Sequence, residues 1–113
     1  MEAAGLRQEL RDLLVVVVRR ERPLEVEGRS VRTVESLADG NGLSPLQAAM
    51  QANDAVQCGM CFPGVLMSLT ALLARDPAPG EETIRDALVG NICRCTGYEQ
   101  IVEAALAAGE EPR

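Results

Sequence analysis

Four cysteines carry the chemistry that this sequence can do. They fall into two pairs, Cys58 and Cys61 in the run QCGMCFPG, and Cys93 and Cys95 in the run ICRCTGY, within 113 residues that contain no histidine. Thiolates bind soft metals, so four of them without imidazole suit either a tetrahedral zinc ion or a [2Fe-2S] cluster. The common zinc grouping places two residues between the ligands of each pair, whereas the second pair here has one between. That spacing favours the cluster and leaves zinc open. A C-x-C pair spans less but can still give its ligands to one iron. Disulfides rarely persist in a reducing compartment, so inert or redox thiols are the remaining reading. The sequence shows no Ser-His-Asp set, no phosphate-cradling glycine loop and no general base near the thiols, so its own residues are expected to do no bond chemistry.

The thiols need elements to position them, and from Ser44 onward the pattern is helical. Ser44 at the N-cap, Pro45 at the first helical position and Gln47 at N3 spell a capping box, opening a helix expected to run to about Val56 with Leu46, Ala49, Met50 and Val56 on its apolar face. Pro63 follows the first thiol pair and starts a stripe of Val65, Leu66, Leu69, Leu72 and Leu73 at helical spacing. The run DPAPGEE must be a loop, after which Glu81 and Glu82 suit a helix N-terminus. This third helix is expected to reach about Val89 and to bury Ile84, Ala87 and Leu88. Thr96 and Glu99 spell a second capping box, before a stripe of Ile101, Val102, Ala105 and Leu106.

The order helix, thiol pair, helix thus occurs twice. It predicts a mainly α fold, a four-helix bundle of two αα-hairpins whose cysteine-bearing turns share one end. Each pair precedes a helix start, where unpaired N–H groups stabilise thiolates and any anionic centre they hold. Gly59 and Gly97 let the backbone curl there.

Residues 1–43 differ in texture from 44–113. A helical prelude over Ala3 to Leu13, a buried strand at Val15 to Val18, a solvated cluster of Arg19, Arg20 and Arg22, and a turn at EGRS are expected, giving one or two short strands. Apolar residues at 47% and charged residues at 25% are the balance of a soluble globular chain. A formal charge of -6 repels phosphate backbones and argues against nucleic-acid binding. The longest apolar run, Leu13 to Val18, falls far short of the about 20 residues that cross a bilayer, and the acidic, Arg-containing N-terminus does not read as a secretory signal. A cytoplasmic protein without a membrane partner is expected.

At the level of motifs, AVQCGMCFPGVLMSLTALL followed by NICRCTGYEQIVEAAL, with TVESLA leading into the first helix, resembles the helical [2Fe-2S] domain of molybdenum hydroxylase iron–sulfur subunits. This is the xanthine dehydrogenase, aldehyde oxidoreductase and carbon monoxide dehydrogenase family, and the likeness covers about Thr33 to Ala108. The resemblance implies that Cys58, Cys61, Cys93 and Cys95 ligate one [2Fe-2S] cluster. It implies that Gln57 and Cys95 lie against the pterin of a molybdopterin-type molybdenum cofactor held by a separate large subunit. It implies electron relay towards FAD on a flavin subunit, or another acceptor. Two departures stand out. Phe62 occupies a position where the family usually has Thr. The family also normally begins with a plant-type ferredoxin domain carrying its own cluster, whereas all four cysteines here belong to the helical domain; residues 1–43 are then at most a remnant of the ferredoxin domain, and either a second ferredoxin-like chain supplies the second cluster or a nearby flavin dispenses with it. The rival reading is a structural or interaction protein in which zinc or a cluster staples the bundle to a partner.

Overall fold

The computed structural model describes residues 28, 31–38, 40 and 42–110. Among them are four α-helices: α1 at Pro45–Ala52, α2 at Phe62–Arg75, α3 at Glu81–Ala87 and α4 at Glu99–Glu110. The predicted N-terminal helix, Val15 to Val18 and the arginine cluster lie outside the described residues, while Gly28 of the EGRS turn has a φ of 76°.

α1 starts with the expected capping box. Gln47 N–H donates to Ser44 Oγ at 3.2 Å and Ser44 N–H donates to Gln47 Oε1 at 2.9 Å. The helix ends earlier than Val56, however, because Asn53 closes it: its backbone N–H and its side-chain amide both donate to Ala49 C=O, and Asp54 turns left-handed with φ 49°. Asn and Asp tolerate that conformation, which satisfies helix-end carbonyls. Val56 consequently leaves the apolar face and is exposed.

α2 buries Val65, Leu66, Leu69, Leu72 and Leu73 as the stripe predicts, and Met67, Ser68 and Ala71 as well. A helix buried on so much of its circumference sits inside its neighbours rather than on a surface. α3 stops at Ala87 instead of Val89. Leu88 caps it, Gly90 reverses the chain with φ 94°, and Val89 is left exposed.

The second predicted capping box does not form. Tyr98, not Thr96, is the residue whose carbonyl takes the first α4 hydrogen bond, from Val102 N–H at 2.9 Å. Glu99 instead meets Arg85, which also binds Glu81 and so ties the first turns of α3 and α4 together.

The helices close in a ring. α1 packs on α2, α2 on α3, α3 on α4, and the most extensive contact, α1 with α4, joins the two hairpins. Met50, Val65, Leu69, Ile84 and Ile101 are the largest wholly buried side chains at the centre. Val34 and Leu37, from a 3-10 turn at Val34–Ser36 and just after it, pack against this core from outside.

Candidate metal centre

Both cysteine-bearing segments lie at one end of the ring and face a common recess. Cys58, Cys61, Cys93 and Cys95 line it together with Gln57, Phe62 and Thr96. All four cysteines are free of disulfides. Cys61 and Cys93 pack against the hydrophobic core, while Cys58 and Cys95 are exposed at the mouth. Each loop therefore contributes one inner and one outer sulfur. Gln57, which the resemblance marks for the pterin, is also exposed there, beside Cys58.

The first loop reaches this end because Asn53 stops α1 early and Gly59, at φ 82°, bends the chain into α2. Cys61 is the N-cap of α2, but no side-chain capping bond holds its sulfur to the helix. The second loop is held more firmly. Tyr98 places its hydroxyl between two backbone groups, donating to Asn91 C=O at 2.8 Å and accepting from Cys93 N–H at 2.9 Å. Asn91 Nδ2 in turn donates to Ser68 Oγ at 3.0 Å, which anchors the loop to α2. Gly97 at φ 64° and Tyr98 at φ 72° make the tight bend that allows this.

The sulfurs meet in pairs that cross between loops: Cys58 with Cys95, and Cys61 with Cys93. Their acidities diverge accordingly. Thr96 hydroxyl, followed by the backbone N–H groups of Thr96 and Cys95, lowers Cys93 to about 7 against the opposing effect of burial. Burial first, and then the neighbouring Cys93, pushes Cys61 up to about 11. The Met60 N–H and the Cys95 thiol lower Cys58, and that same contact with Cys58 raises Cys95. Each pair thus contains a sulfur biased towards thiolate and a thiol that donates to it.

Two contributors were not singled out by motif spacing. Thr96 reads as a helix cap, yet its hydroxyl lies 3.0 Å from Cys93 Sγ and accepts Tyr98 N–H at 3.1 Å. Tyr98 belongs to no capping box or apolar stripe, yet its hydroxyl clamps the loop. The signal available for both was their place within CTGY, immediately after the last thiol.

Residues 33–106 match the [2Fe-2S] binding domain family. The chain belongs to that family. It is the domain whose likeness the two cysteine motifs carry in the sequence. The nicotine 6-hydroxylase small subunit of Paenarthrobacter nicotinovorans is 57% identical over 82 residues, covering 73% of this chain and 49% of that protein. The xanthine dehydrogenase iron-sulfur-binding subunit of Escherichia coli O157:H7 is 47% identical over 85 residues, covering 71% of this chain and 52% of that one. Among solved structures, quinoline 2-oxidoreductase from Pseudomonas putida 86 superposes with a TM-score of 0.72 at 42% identity, over 77% of this chain and 55% of that one. The chain therefore spans about half the length of these curated relatives.

A [2Fe-2S] cluster fits the residues present. Thiols alone make up the donor set, they line one recess from two loops, and the neighbouring N–H groups of Met60, Cys95 and Thr96 lower the Cys58 and Cys93 thiols, the bias that an anionic cluster requires.

Proposed function

We propose that this chain is the electron-transfer iron–sulfur subunit of a molybdenum hydroxylase-type oxidoreductase complex. The observation that carries the reading is the convergence of Cys58, Cys61, Cys93 and Cys95 in cross-loop pairs at one end of the bundle. In this reading Cys58 and Cys95 would hold one iron and Cys61 and Cys93 the other, so neither sequence pair would serve a single iron. The cluster supplies one-electron storage. The chain's own residues hold it, shield the inner sulfurs with Phe62 and the core, and leave the outer sulfurs at the surface for electron exchange.

Gln57 and Cys95, both exposed at the mouth, are assigned to contact with a molybdopterin cofactor on a large partner subunit. Electrons then pass towards FAD or another acceptor on a flavin subunit or a ferredoxin-like chain. The relatives named as a small subunit and an iron-sulfur-binding subunit support a multi-chain assembly. Residues 44–113 form the cluster-binding unit of this proposal, preceded by the N-terminal segment 1–43 as a remnant of a ferredoxin-like domain, of which residues from 33 onward already fall within the matched family region. Free cysteines suit a reducing compartment, so the complex is assigned to the cytoplasm; no helix among the described residues is long and apolar enough to cross a membrane.

Anaerobic purification followed by visible absorption and metal analysis tests the assignment. Bands bleached by dithionite, with two irons and two sulfides per chain, are expected. Colourless protein with a single zinc would establish the structural staple instead. Cys93→Ser should lose most of its iron and melt at lower temperature; unchanged iron content in that variant would remove Cys93 from the ligand set.

A further inference from the structure

The Cys93 sulfur has a partner of a different kind from the others. Cys58, Cys61 and Cys95 interact with backbone N–H groups and with the thiol facing them across the loops, whereas Cys93 Sγ also meets the Thr96 hydroxyl at 3.0 Å. The direction of that bond follows from what else Thr96 does. Its oxygen already accepts Tyr98 N–H at 3.1 Å, and a metal-bound thiolate has no proton to give, so the hydroxyl proton points at sulfur. The backbone reinforces this. Tyr98 is held at φ 72°, a conformation unfavourable for a residue with a side chain, and this bend aims its N–H at Thr96. Cys93's own N–H is engaged by the Tyr98 hydroxyl at 2.9 Å. Thr96, Cys93 and Tyr98 are all half-buried, so water competes weakly for these bonds.

We infer that Thr96 is a positioning residue that raises the reduction potential of the cluster through its hydroxyl bond to Cys93 Sγ. This rests on the reading that the four thiols hold a [2Fe-2S] cluster. Reduction adds one electron and makes the cluster more negative. A hydrogen bond to a ligand sulfur draws charge from it and stabilises the reduced form more than the oxidised one. Removing the bond lowers the potential without removing a ligand.

The test uses the intact complex carrying Thr96→Val, which keeps the branched shape and loses the hydroxyl, and Thr96→Ser, which keeps the hydroxyl. Iron and sulfide are measured first, then the midpoint potential by dithionite titration with electron paramagnetic resonance, then the iron–thiolate stretching bands by resonance Raman. Expected are wild-type iron content in both variants, a lower midpoint potential and shifted bands in Thr96→Val, and recovery of both in Thr96→Ser. Unchanged potential and bands in an iron-replete Thr96→Val would overturn the inference. So would loss of iron from Thr96→Val, because Thr96 would then hold the loop rather than tune the centre. An unmodified complex whose chain holds no [2Fe-2S] cluster would instead refute the underlying assignment, and the metal analysis distinguishes that result before any titration.

Discussion

Cys93 and Cys61 touch, yet their thiols are driven in opposite directions, and the cluster-free chain should show it. Cys93, lowered to about 7 from the ordinary 9.0, is ionised in the folded chain and protonated in the unfolded chain between those values. Folding stability therefore rises with pH from 7 to 9, and this contribution is lost as pH falls through 7. Cys61, raised to about 11, stays protonated in the fold after it would ionise in the unfolded chain. Its contribution is full below 9 and disappears as pH rises through 11. Urea unfolding of cluster-free protein should give maximal stability near pH 9; a monotonic profile from 7 to 11 would contradict the two assignments. The thiols were legible in the sequence because metal-ligating residue types in paired spacing are rare by chance. The partners of their sulfurs were not, since Thr96 has two competing uses for its hydroxyl and only the bend at Gly97 and Tyr98 selects one.

Helix positions were readable from their apolar stripes and from the Ser44 capping box, which depend on contacts within a few residues. Helix ends were less so. α1 and α3 both stop short of their expected ends because Asn53-Asp54 and Gly90 adopt turn geometry that competes with helix continuation. Those early stops bring the loops to the recess that the four thiols line. Close packing between elements also sets a test: a Cβ on Gly64 in α2 would lie 2.6 Å from Asn91 Oδ1, and Asn91 is tied to the buried Ser68. Gly64→Ala should cost about 1–3 kcal/mol through overpacking and a strained hydrogen bond. Thermal melting followed by circular dichroism checks this; an unaltered melting temperature would mean that Asn91 swings aside freely.

At the scale of the molecule, the ring of helices leaves large apolar side chains uncovered around the thiol loops. Met60 is 86% exposed and Ile92 is 82% exposed, the first between Cys58 and Cys61 and the second directly before Cys93. Desolvating such side chains favours association with another surface. In the proposed complex, Met60→Glu and Ile92→Glu together should lower co-elution with the large subunit at least about tenfold, as burial of two carboxylates costs more than 1.4 kcal/mol. Iron per chain should remain at the wild-type level. Full co-elution of the double variant on size-exclusion chromatography would place the partner elsewhere.

The sequence by itself determined the two thiol pairs, the repeated helix–thiol–helix order and the apolar stripes, because these follow from side-chain chemistry and from periodicity over short stretches. Tertiary structure alone decided that Cys58 meets Cys95 and Cys61 meets Cys93, that the inner two lie on the core, and that Thr96 serves sulfur rather than a helix end. Those outcomes depend on α1 closing against α4, a contact between segments some fifty residues apart. Spacing along the chain cannot express it, since the direction of each loop is fixed only when the two hairpins bury their stripes against one another.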